Sequence, residues 1–424
     1  MTEPTNTEPA GVDHAAMEFV TELGASMIQA GTAVSDVQES LLLVAEGLGL
    51  ADPDVLVLPT AVLMQVGNGA RARSRMSSFH RSGLRLDQIS TLDELTRHAE
   101  YGQVEAADGL RRLRAIAKAP PPMPFWVRIV GMGVLSTGFA LVLQPTRIGL
   151  LVAFVLGLAI GVLRVLELAQ LQIALPVLAT FGVSIVVFEV AAHYGGENPV
   201  RMLIPPLVLF LPGAALTTGT MELAAGDTVS GASRLVEGVV NLLLLAFGIV
   251  AAAQVVRLPA AELLDHPIQR LGWVTPLIGL VVITLGHYLH NCAPIRWIGW
   301  IFLVSCVAFA AQAAGAQLVS AELSGFFGAV AMTPLIIWLS DRPEGPPKMT
   351  LFLPAFWLLV PGATGLIGVT QAVGTHGVGD FSETAVTVAS IALGTLIGAA
   401  FWNASHDVAS YTRRRIRTVL SDRD

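Results

Sequence analysis

The amino-terminal part of the chain mixes apolar and polar positions in short segments that differ in their spacing. Apolar residues recur at helical spacing from Ala15 to about Ala30 and from Ser35 to about Leu48, which predicts two amphipathic helices. The following segment, 54–76, is rich in Val and Leu and carries turn residues at Pro59 and Asn68. This segment therefore predicts short antiparallel strands with a hairpin.

Helical spacing then returns before the chain becomes strongly apolar. Thr91 begins a capping-box pattern with Glu94, and the helical pattern continues with breaks to about Lys118. A Pro-rich stretch at 119–124 cannot continue a helix and predicts a short, stiff link. Residues 1–119 are therefore expected to form a small α+β domain.

Beyond this link, long apolar runs replace the mixed pattern. Each run has about the length that a helix needs to cross a bilayer, and five runs fall in each half of the remaining chain. An odd number of spans in each copy of a repeat places the second copy in the opposite orientation. The predicted spans are 126–144, 148–166, 173–193, 202–223, 235–256, 273–290, 295–312, 317–339, 350–372 and 384–404.

A repeated Pro-Gly segment supports this division into two halves. PPLVLFLPG, from Pro205 to Gly213, matches PAFWLLVPG, from Pro354 to Gly362, at a constant offset of 149 residues. Because proline lacks a backbone donor and clashes with the preceding turn, each Pro-Gly pair is expected to break its helix near the middle of the span. Two broken helices that face each other are a common way of building a transporter site.

The expected fold is an all-α polytopic membrane protein preceded by the small cytosolic α+β domain. About ten transmembrane helices form a 5+5 inverted repeat that contains the two Pro-Gly-broken helices. The expected boundaries are 1–119 for the amino-terminal domain, 120–257 for the first repeat, 258–272 for the linker, 273–408 for the second repeat and 409–424 for a basic cytosolic tail.

Composition agrees with insertion in a membrane. The 424 residues are 53% hydrophobic and 13% charged, and the mean hydropathy is +0.66. About half of the charged residues lie before residue 120. No cleavable signal peptide is predicted, and basic residues are more frequent in the inner loops and the tail. These features predict a multi-pass protein of the cell inner (plasma) membrane with both termini in the cytosol.

Several other classes are not expected. The sequence has no basic stripe with interleaved aromatic residues, so nucleic-acid binding is not predicted. Cys292 and Cys306 lack ligand spacing, so neither a disulfide framework nor a metal site is predicted. The sequence contains no P-loop, G-x-S-x-G or H-E-x-x-H pattern, so an enzyme is not predicted. No cofactor is expected. Small-residue faces such as Gly394 with Gly398 allow close helix packing, either within the chain or in a homo-oligomer.

The two helix breaks define a candidate site for a small solute. The half-helix after each break offers backbone N–H groups and a positive dipole end to a carboxylate, and the half-helix before it ends in carbonyls that suit an ammonium group. Threonines after the breaks can bond such a solute or their own helix backbone. The predicted substrate-binding residues are Pro212, Gly213, Thr217, Thr218, Pro361, Gly362 and Thr364.

Acidic residues in or near the spans are candidates for proton coupling, because a carboxylate in lipid is costly. They are Glu189, Glu222, Asp227 and Asp380. Glu222 corresponds to Gln371 in the second copy, so only the first copy has a titratable group at this position. The alternative interpretation is that Glu222 lies at the membrane surface and is solvated. The two aspartates can instead cap the helices that follow them.

A histidine pair lies near the end of the sixth predicted span. His287 and His290 are one helical turn apart, a spacing that suits proton relay or metal binding. Because no carboxylate lies at a suitable position beside them, a structural role at the membrane interface is expected.

The order of these features resembles the threonine/serine exporter family, ThrE. The resemblance covers nearly the whole chain and rests on residues 24–50, 82–116 and 128–143 and on both Pro-Gly segments. It implies a cytosolic domain followed by ten transmembrane helices and the export of small hydrophilic solutes by the proton-motive force. In related systems the two halves look like separate polypeptides.

The expected function is secondary active export of threonine, serine or similar small polar amino acids, with protons as coupling ion and alternating access about the paired breaks. A dicarboxylate (succinate-like) exporter of the same architecture is one alternative, because a backbone-built anion site accepts either solute. A channel or a membrane-anchored sensor is the other.

Overall fold

The computed structural model describes residues 12–68, 72–78, 83–143, 146–166, 174–194, 198–259, 272, 274–320, 323–342, 344–359, 366 and 386–401. The chain divides into two compact units. The first unit consists of the residues up to Pro122 together with Glu222–Arg234. The second consists of Met123–Met221 together with the chain from Leu235 onward.

The described residues of the first unit form helices and an antiparallel sheet. The helices are α1 (Val12–Gln29), α2 (Val34–Gly47), α3 (Leu86–Glu100) and α4 (Ala106–Lys118), and the strands are β1 (Pro53–Leu58), β2 (Ala61–Val66) and β3 (Arg73–Ser78). Strand β2 is central and pairs with both of its neighbours. The first two predicted helices and the antiparallel hairpin are confirmed, with small shifts of their ends.

The core of the first unit lies between α1, α2 and the sheet. Leu23 and Leu41 are fully buried, and so is Val62 of the central strand. Gly24 allows the close contact of these elements, because a Cβ at this position would lie 2.5 Å from Leu41 Cδ1. The amphipathic pattern therefore predicted the buried faces of both helices correctly.

The predicted helix start at Thr91 is wrong. Helix α3 already begins at Leu86, so Thr91 lies inside it and its hydroxyl donates to the backbone carbonyl of Asp87 at 3.0 Å. The side chain of Gln88 instead accepts from the backbone N–H of Arg85 at 3.1 Å, which satisfies a donor at the helix start. A threonine hydroxyl bonds nearby backbone both at a helix start and inside a helix, so the local sequence pattern does not distinguish these two positions.

The described residues of the second unit form helices and their connections. The helices are α5 (Phe125–Leu143), α6 (Arg147–Val165), α7 (Leu175–His193), α8 (Pro199–Leu207), α9 (Gly213–Ala225), α10 (Thr228–Val256), α11 (Thr275–Leu289), α12 (Ile298–Leu318), α13 (Ser324–Ser340), α14 (Lys348–Leu359) and α15 (Val386–Phe401). The last residues of α9 and the first of α10 belong to the first unit.

Every predicted span overlaps one of these helices. Among the described residues, α5, α6, α7, α10 and α12 are long and apolar enough to cross a membrane, and the bent pair α8 and α9 would make a sixth span. Helices α11, α13, α14 and α15 are apolar but shorter, with 10–17 residues each. The chain is a mostly helical membrane protein, and the count of ten spans stays a prediction.

Glycines allow α6 to approach α5 closely. A Cβ on Gly161 would lie 3.0 Å from Ile129 Cα, and a Cβ on Gly157 would lie 2.6 Å from Ser136 Oγ. In these contacts, later residues of α6 lie beside earlier residues of α5, so the two helices are antiparallel. The first residues of α5 therefore lie beside the last residues of α6.

Helix α5 packs in the same close manner against α11. A Cβ on Gly138 would lie 2.7 Å from Ile283 N, and a Cβ on Gly131 would lie 2.6 Å from His290 N. This pair is also antiparallel. Small residues at such a contact are typical of helices that associate in membranes.

The first Pro-Gly pair interrupts its helix as predicted. Helix α8 ends at Leu207, a 3₁₀ turn covers Val208–Phe210, and α9 begins at Gly213 after a bend of 67°. The second pair, Pro361 and Gly362, lies outside the described residues.

Candidate functional site

The break in the first Pro-Gly segment places one hydroxyl in an unusual setting. Pro212 and Gly213 are buried, and the carbonyl of Pro212 accepts the first backbone hydrogen bond of α9, from Leu216 N at 3.0 Å. Thr217 lies one turn after the break and is 1% exposed, and no described residue provides a hydrogen-bond partner for its Oγ1. A buried hydroxyl without a partner carries a cost, so this site favours a polar ligand or water.

The neighbouring threonines of α9 differ from Thr217. Thr220 Oγ1 donates to the carbonyl of Leu216 at 2.9 Å, which is the alternative that the sequence left open for these residues. Thr218 is half-buried. Of the predicted site threonines in the first copy, Thr217 is the one whose buried hydroxyl has no partner among the described residues.

The counterpart residues Pro361, Gly362 and Thr364 lie outside the described residues. The helix that precedes them ends at Leu359, whose carbonyl accepts from Gln312 Nε2 of α12 at 3.4 Å. Gln312 was not predicted as a site residue, although an amide within an apolar helix is a detectable signal.

Both Pro-Gly segments contribute to one hydrophobic cluster of the second unit. Leu207 and Val208 come from the first segment and Leu358 from the second, and Leu216 and Leu366 follow shortly after these segments. Phe210 and Trp357 pack against the same cluster. Residues of both predicted spans therefore lie in the same hydrophobic cluster, and the facing arrangement of the two breaks stays a prediction.

Basic side chains gather near these segments at one end of α5, α6 and α11. His290 is 4% exposed, and its Nδ1 donates to the carbonyl of Arg128 at 2.8 Å. Arg128 Nε is buried and has no hydrogen-bond partner among the described residues. The ends of α5 and α6 that carry Arg128 and Arg164 lie side by side, since a Cβ on Gly161 would lie 3.0 Å from Ile129 Cα.

Two aromatic contacts connect the basic residues to the Pro-Gly segments. The guanidinium of Arg164 lies 5.8 Å from the ring centroid of Phe210. The ring of His287 stacks on Trp357 with centroids 5.3 Å apart. Asn291 Nδ2 donates to His287 Nδ1 at 2.8 Å, which leaves the ring proton on Nε2, a buried atom without a partner.

Glu222 is the most buried of the predicted proton-coupling residues, at 1% exposure. Within the first unit, its Oε2 lies 3.0 Å from Arg234 Nε, and its Oε1 accepts from the backbone N–H of Val34 at 3.1 Å. Arg234 also donates to the carbonyl of Thr32 at 3.4 Å. Since Ala33 provides no side-chain cap for α2, the carboxylate of Glu222 caps this helix from a distant part of the chain.

The other acidic candidates have different surroundings. Asp227 directly precedes α10, and its carbonyl accepts from Gly231 N at 2.9 Å, as a residue at the start of a helix does. Glu189 is exposed on α7, and its carbonyl accepts from His193 Nδ1 at 2.7 Å. Asp380 lies outside the described residues. The structure brings Glu222 and Asp227 together at the α9–α10 connection and places Glu189 in the other unit.

The basic group was not predicted as a site. Arg128 and Arg164 lie inside predicted spans, and a rule that every ionisable residue in a span requires a partner would have identified them. Among the described residues, no group of three or more His, Cys, Asp or Glu side chains is placed to hold a metal ion.

Comparison with known proteins identifies relatives over the first part of the chain. Residues 18–256 match the family model ThrE, described as "Putative threonine/serine exporter". The chain is 23% identical over 247 residues to pheromone-regulated membrane protein 10 of Candida albicans, an alignment that covers 55% of this chain and 22% of the relative. The protein of the same name from Zygosaccharomyces rouxii is 22% identical over 246 residues, with 55% and 24% covered.

These curated relatives are much longer, and the chain spans less than a quarter of their length. No solved structure matches the chain. The family match covers more than half of the 424 residues and includes both the amino-terminal domain and the first Pro-Gly segment. The chain therefore belongs to the threonine/serine exporter family, ThrE.

Proposed function

We propose that this chain is a secondary active exporter of threonine, serine or similar small polar amino acids, driven by the proton-motive force. It lies in the plasma membrane with both termini in the cytosol. The observation that carries the proposal is the buried, unpartnered hydroxyl of Thr217 one turn beyond a 67° helix bend. A bent span with a free polar group suits a solute that presents both charged ends and a hydroxyl.

An inverted repeat around the two breaks is part of this proposal. Helices α7 and α13 begin at Leu175 and Ser324, and α8 and α14 begin at Pro199 and Lys348, so both pairs are 149 residues apart. The first helices of the two copies, α5 and α11, pack antiparallel, as an inverted repeat requires. Alternating access then follows from movement of one copy against the other.

Proton coupling is assigned to Glu222. Its carboxylate faces Arg234 and holds the start of α2 through Val34. Protonation would remove the charge that faces Arg234 and weaken the bond to Val34, since a neutral acid is the poorer acceptor. Proton binding would thereby loosen the contacts between α2 and the segment that follows the broken helix.

Flux into proteoliposomes under an imposed proton gradient tests the proposal. Radiolabelled threonine and serine are compared with succinate for the wild type, Thr217→Val and Thr220→Val. Loss of one solute hydrogen bond is expected to raise KM roughly three- to tenfold in Thr217→Val. Thr220→Val is the matched control, because its hydroxyl bonds its own helix.

The same assay separates the alternatives. Saturable, gradient-dependent flux of either amino acid supports the exporter. The cations Arg128 and Arg164 lie on adjacent helix ends and favour a dicarboxylate as second candidate, and flux of succinate alone would establish it. Flux without saturation or proton dependence would favour a channel, and equal effects of the two threonine variants would remove Thr217 from the site.

A further inference from the structure

Three basic side chains of the second unit lie at the same end of three packed helices. They are Arg128 of α5, Arg164 of α6 and His287 of α11. The close packing of α5 against α6 and α11 sets this arrangement, since both neighbours run antiparallel to α5. His290, just beyond α11, fixes the position by donating to the backbone of Arg128.

Part of the hydrogen-bonding capacity of these side chains has no partner among the described residues. Arg128 Nε and His287 Nε2 are buried and lack partners. Arg164 contacts the ring of Phe210, which offers no acceptor atom. Among the described residues of the second unit, the carboxylates are Glu189, Glu237, Asp341 and Glu344, and no ion pair between described residues engages Arg128 or Arg164.

A guanidinium at the end of a membrane helix favours an anionic partner where its donors are buried, as Arg128 Nε is. A planar oxyanion matches the forked donors of arginine and would also accept from His287 Nε2. An anionic ligand would therefore satisfy all three groups together.

We propose that Arg128, Arg164 and His287 form a binding site for the carboxylate of the transported solute. This assignment rests on the proposed export function and names the group that the site recognises. Phe210 and Trp357 connect the site to the two Pro-Gly segments, because each contacts one of the basic residues. The buried positions of Arg128 Nε and His287 Nε2 favour a small solute over a lipid phosphate, whose chains must stay in the bilayer.

Differential exposure makes Arg164 the accessible member of the group. Arg164 is exposed, whereas His287 is fully buried. Arg147, at the opposite end of α6, is also exposed and provides a matched control on the same helix. An arginine-selective reagent should therefore label both side chains in the free protein.

Phenylglyoxal labelling of the full-length wild type, followed by peptide mass spectrometry, tests the proposal without requiring transport. The protein is placed in neutral phosphatidylcholine nanodiscs, with threonine, succinate or threoninamide added. Threonine or succinate is expected to slow the labelling of Arg164 at least fivefold and to leave Arg147 unchanged. Threoninamide, which lacks the carboxylate, is expected to give no protection.

A second arm uses nanodiscs that contain phosphatidylglycerol and no solute. Protection of Arg164 by this lipid alone would overturn the assignment to a solute and identify a lipid phosphate. Absence of protection by threonine and by succinate, or equal protection of Arg147, would also overturn it. Protection by threoninamide would show that the carboxylate is not the recognised group.

The outcome is separable from that of the flux assay. Protection without flux would retain the carboxylate site and reject the export function. Flux without protection would retain export and reject the site. Arg164→Gln is then expected to raise KM for threonine at least tenfold, and Arg147→Gln to leave it unchanged.

Discussion

At the scale of single residues, the carboxylate of Glu222 shows how one side chain serves two functions in packing. It neutralises the buried guanidinium of Arg234 and accepts the N–H of Val34 at the start of α2. Removing one member of a buried pair is more harmful than replacing both, because the remaining charge has no partner. The two contacts can be separated by substitution.

Glu222→Ala removes both contacts, and Glu222→Gln keeps an acceptor for Val34 while removing the charge. We expect amide hydrogen exchange at residues 34–37 to rise at least tenfold in the alanine variant and less in the glutamine variant. Exchange mass spectrometry measures this difference. Glu46→Gln, an exposed position on α2, serves as control, and equal exchange in all three variants would contradict the capping role.

Part of this residue-level arrangement could be predicted from the sequence. The threonines after the break and the acidic residues near span ends were identified from spacing alone. The pairing of Glu222 with Val34 was not, because it joins a side chain to a backbone group 188 residues away. The placement of Arg128, Arg164 and His287 at one end of three packed helices also depends on which helices pack together, and apolar runs carry no information on their neighbours.

At the scale of elements, close helix contacts depend on specific glycines. A Cβ on Gly286 of α11 would lie 2.6 Å from Leu135 Cα of α5, a backbone atom that cannot move aside. Gly182 of α7 has open space around its Cβ position. The same substitution at these two sites should therefore act in opposite directions.

Gly286→Ala is expected to destabilise the protein by about 1–3 kcal/mol, because α5 and α11 must separate. Gly182→Ala is expected to leave stability unchanged or raise it by up to about 1 kcal/mol through helix propensity. Thermal unfolding in detergent, followed by tryptophan fluorescence, compares the two variants. Similar melting temperatures would contradict the close packing of α5 and α11.

The bend between α8 and α9 gives a second prediction at this scale. Pro212→Ala restores the missing backbone donor and removes the ring clash, so the two helices should straighten. Spin labels at residues 201 and 221 in a cysteine-free protein are expected to move apart by roughly 5 Å, from the 1.5 Å rise per residue of a straight helix. Unchanged distances in electron resonance would place the cause of the bend elsewhere.

The elements themselves were predicted more reliably than their caps. All ten apolar runs overlap helices, because span length and hydropathy are strong local signals. The start of α3 was wrong, since Thr91 bonds backbone equally well within a helix. The break at Pro212-Gly213 was predicted correctly from the loss of a donor in the helix interior.

At the scale of the whole molecule, the matched helix starts suggest that the two halves can fold as separate chains. The segment 258–272 is the predicted linker between them. Residues 1–259 and 272–424, produced together as two polypeptides, are expected to recover measurable threonine flux, whereas either alone is expected to give none. A cut within α6, after residue 155, is the control and is expected to abolish flux. Absence of flux from the paired halves would count against the repeat.

The cap on α2 also has a consequence for the order of synthesis. Val34 leaves the ribosome 188 residues before Glu222, the acceptor that completes the helix start. At about 5–20 residues per second, this interval is roughly 10–40 s. During that time the start of α2 lacks its carboxylate acceptor, which is supplied only when the fourth predicted span has been made.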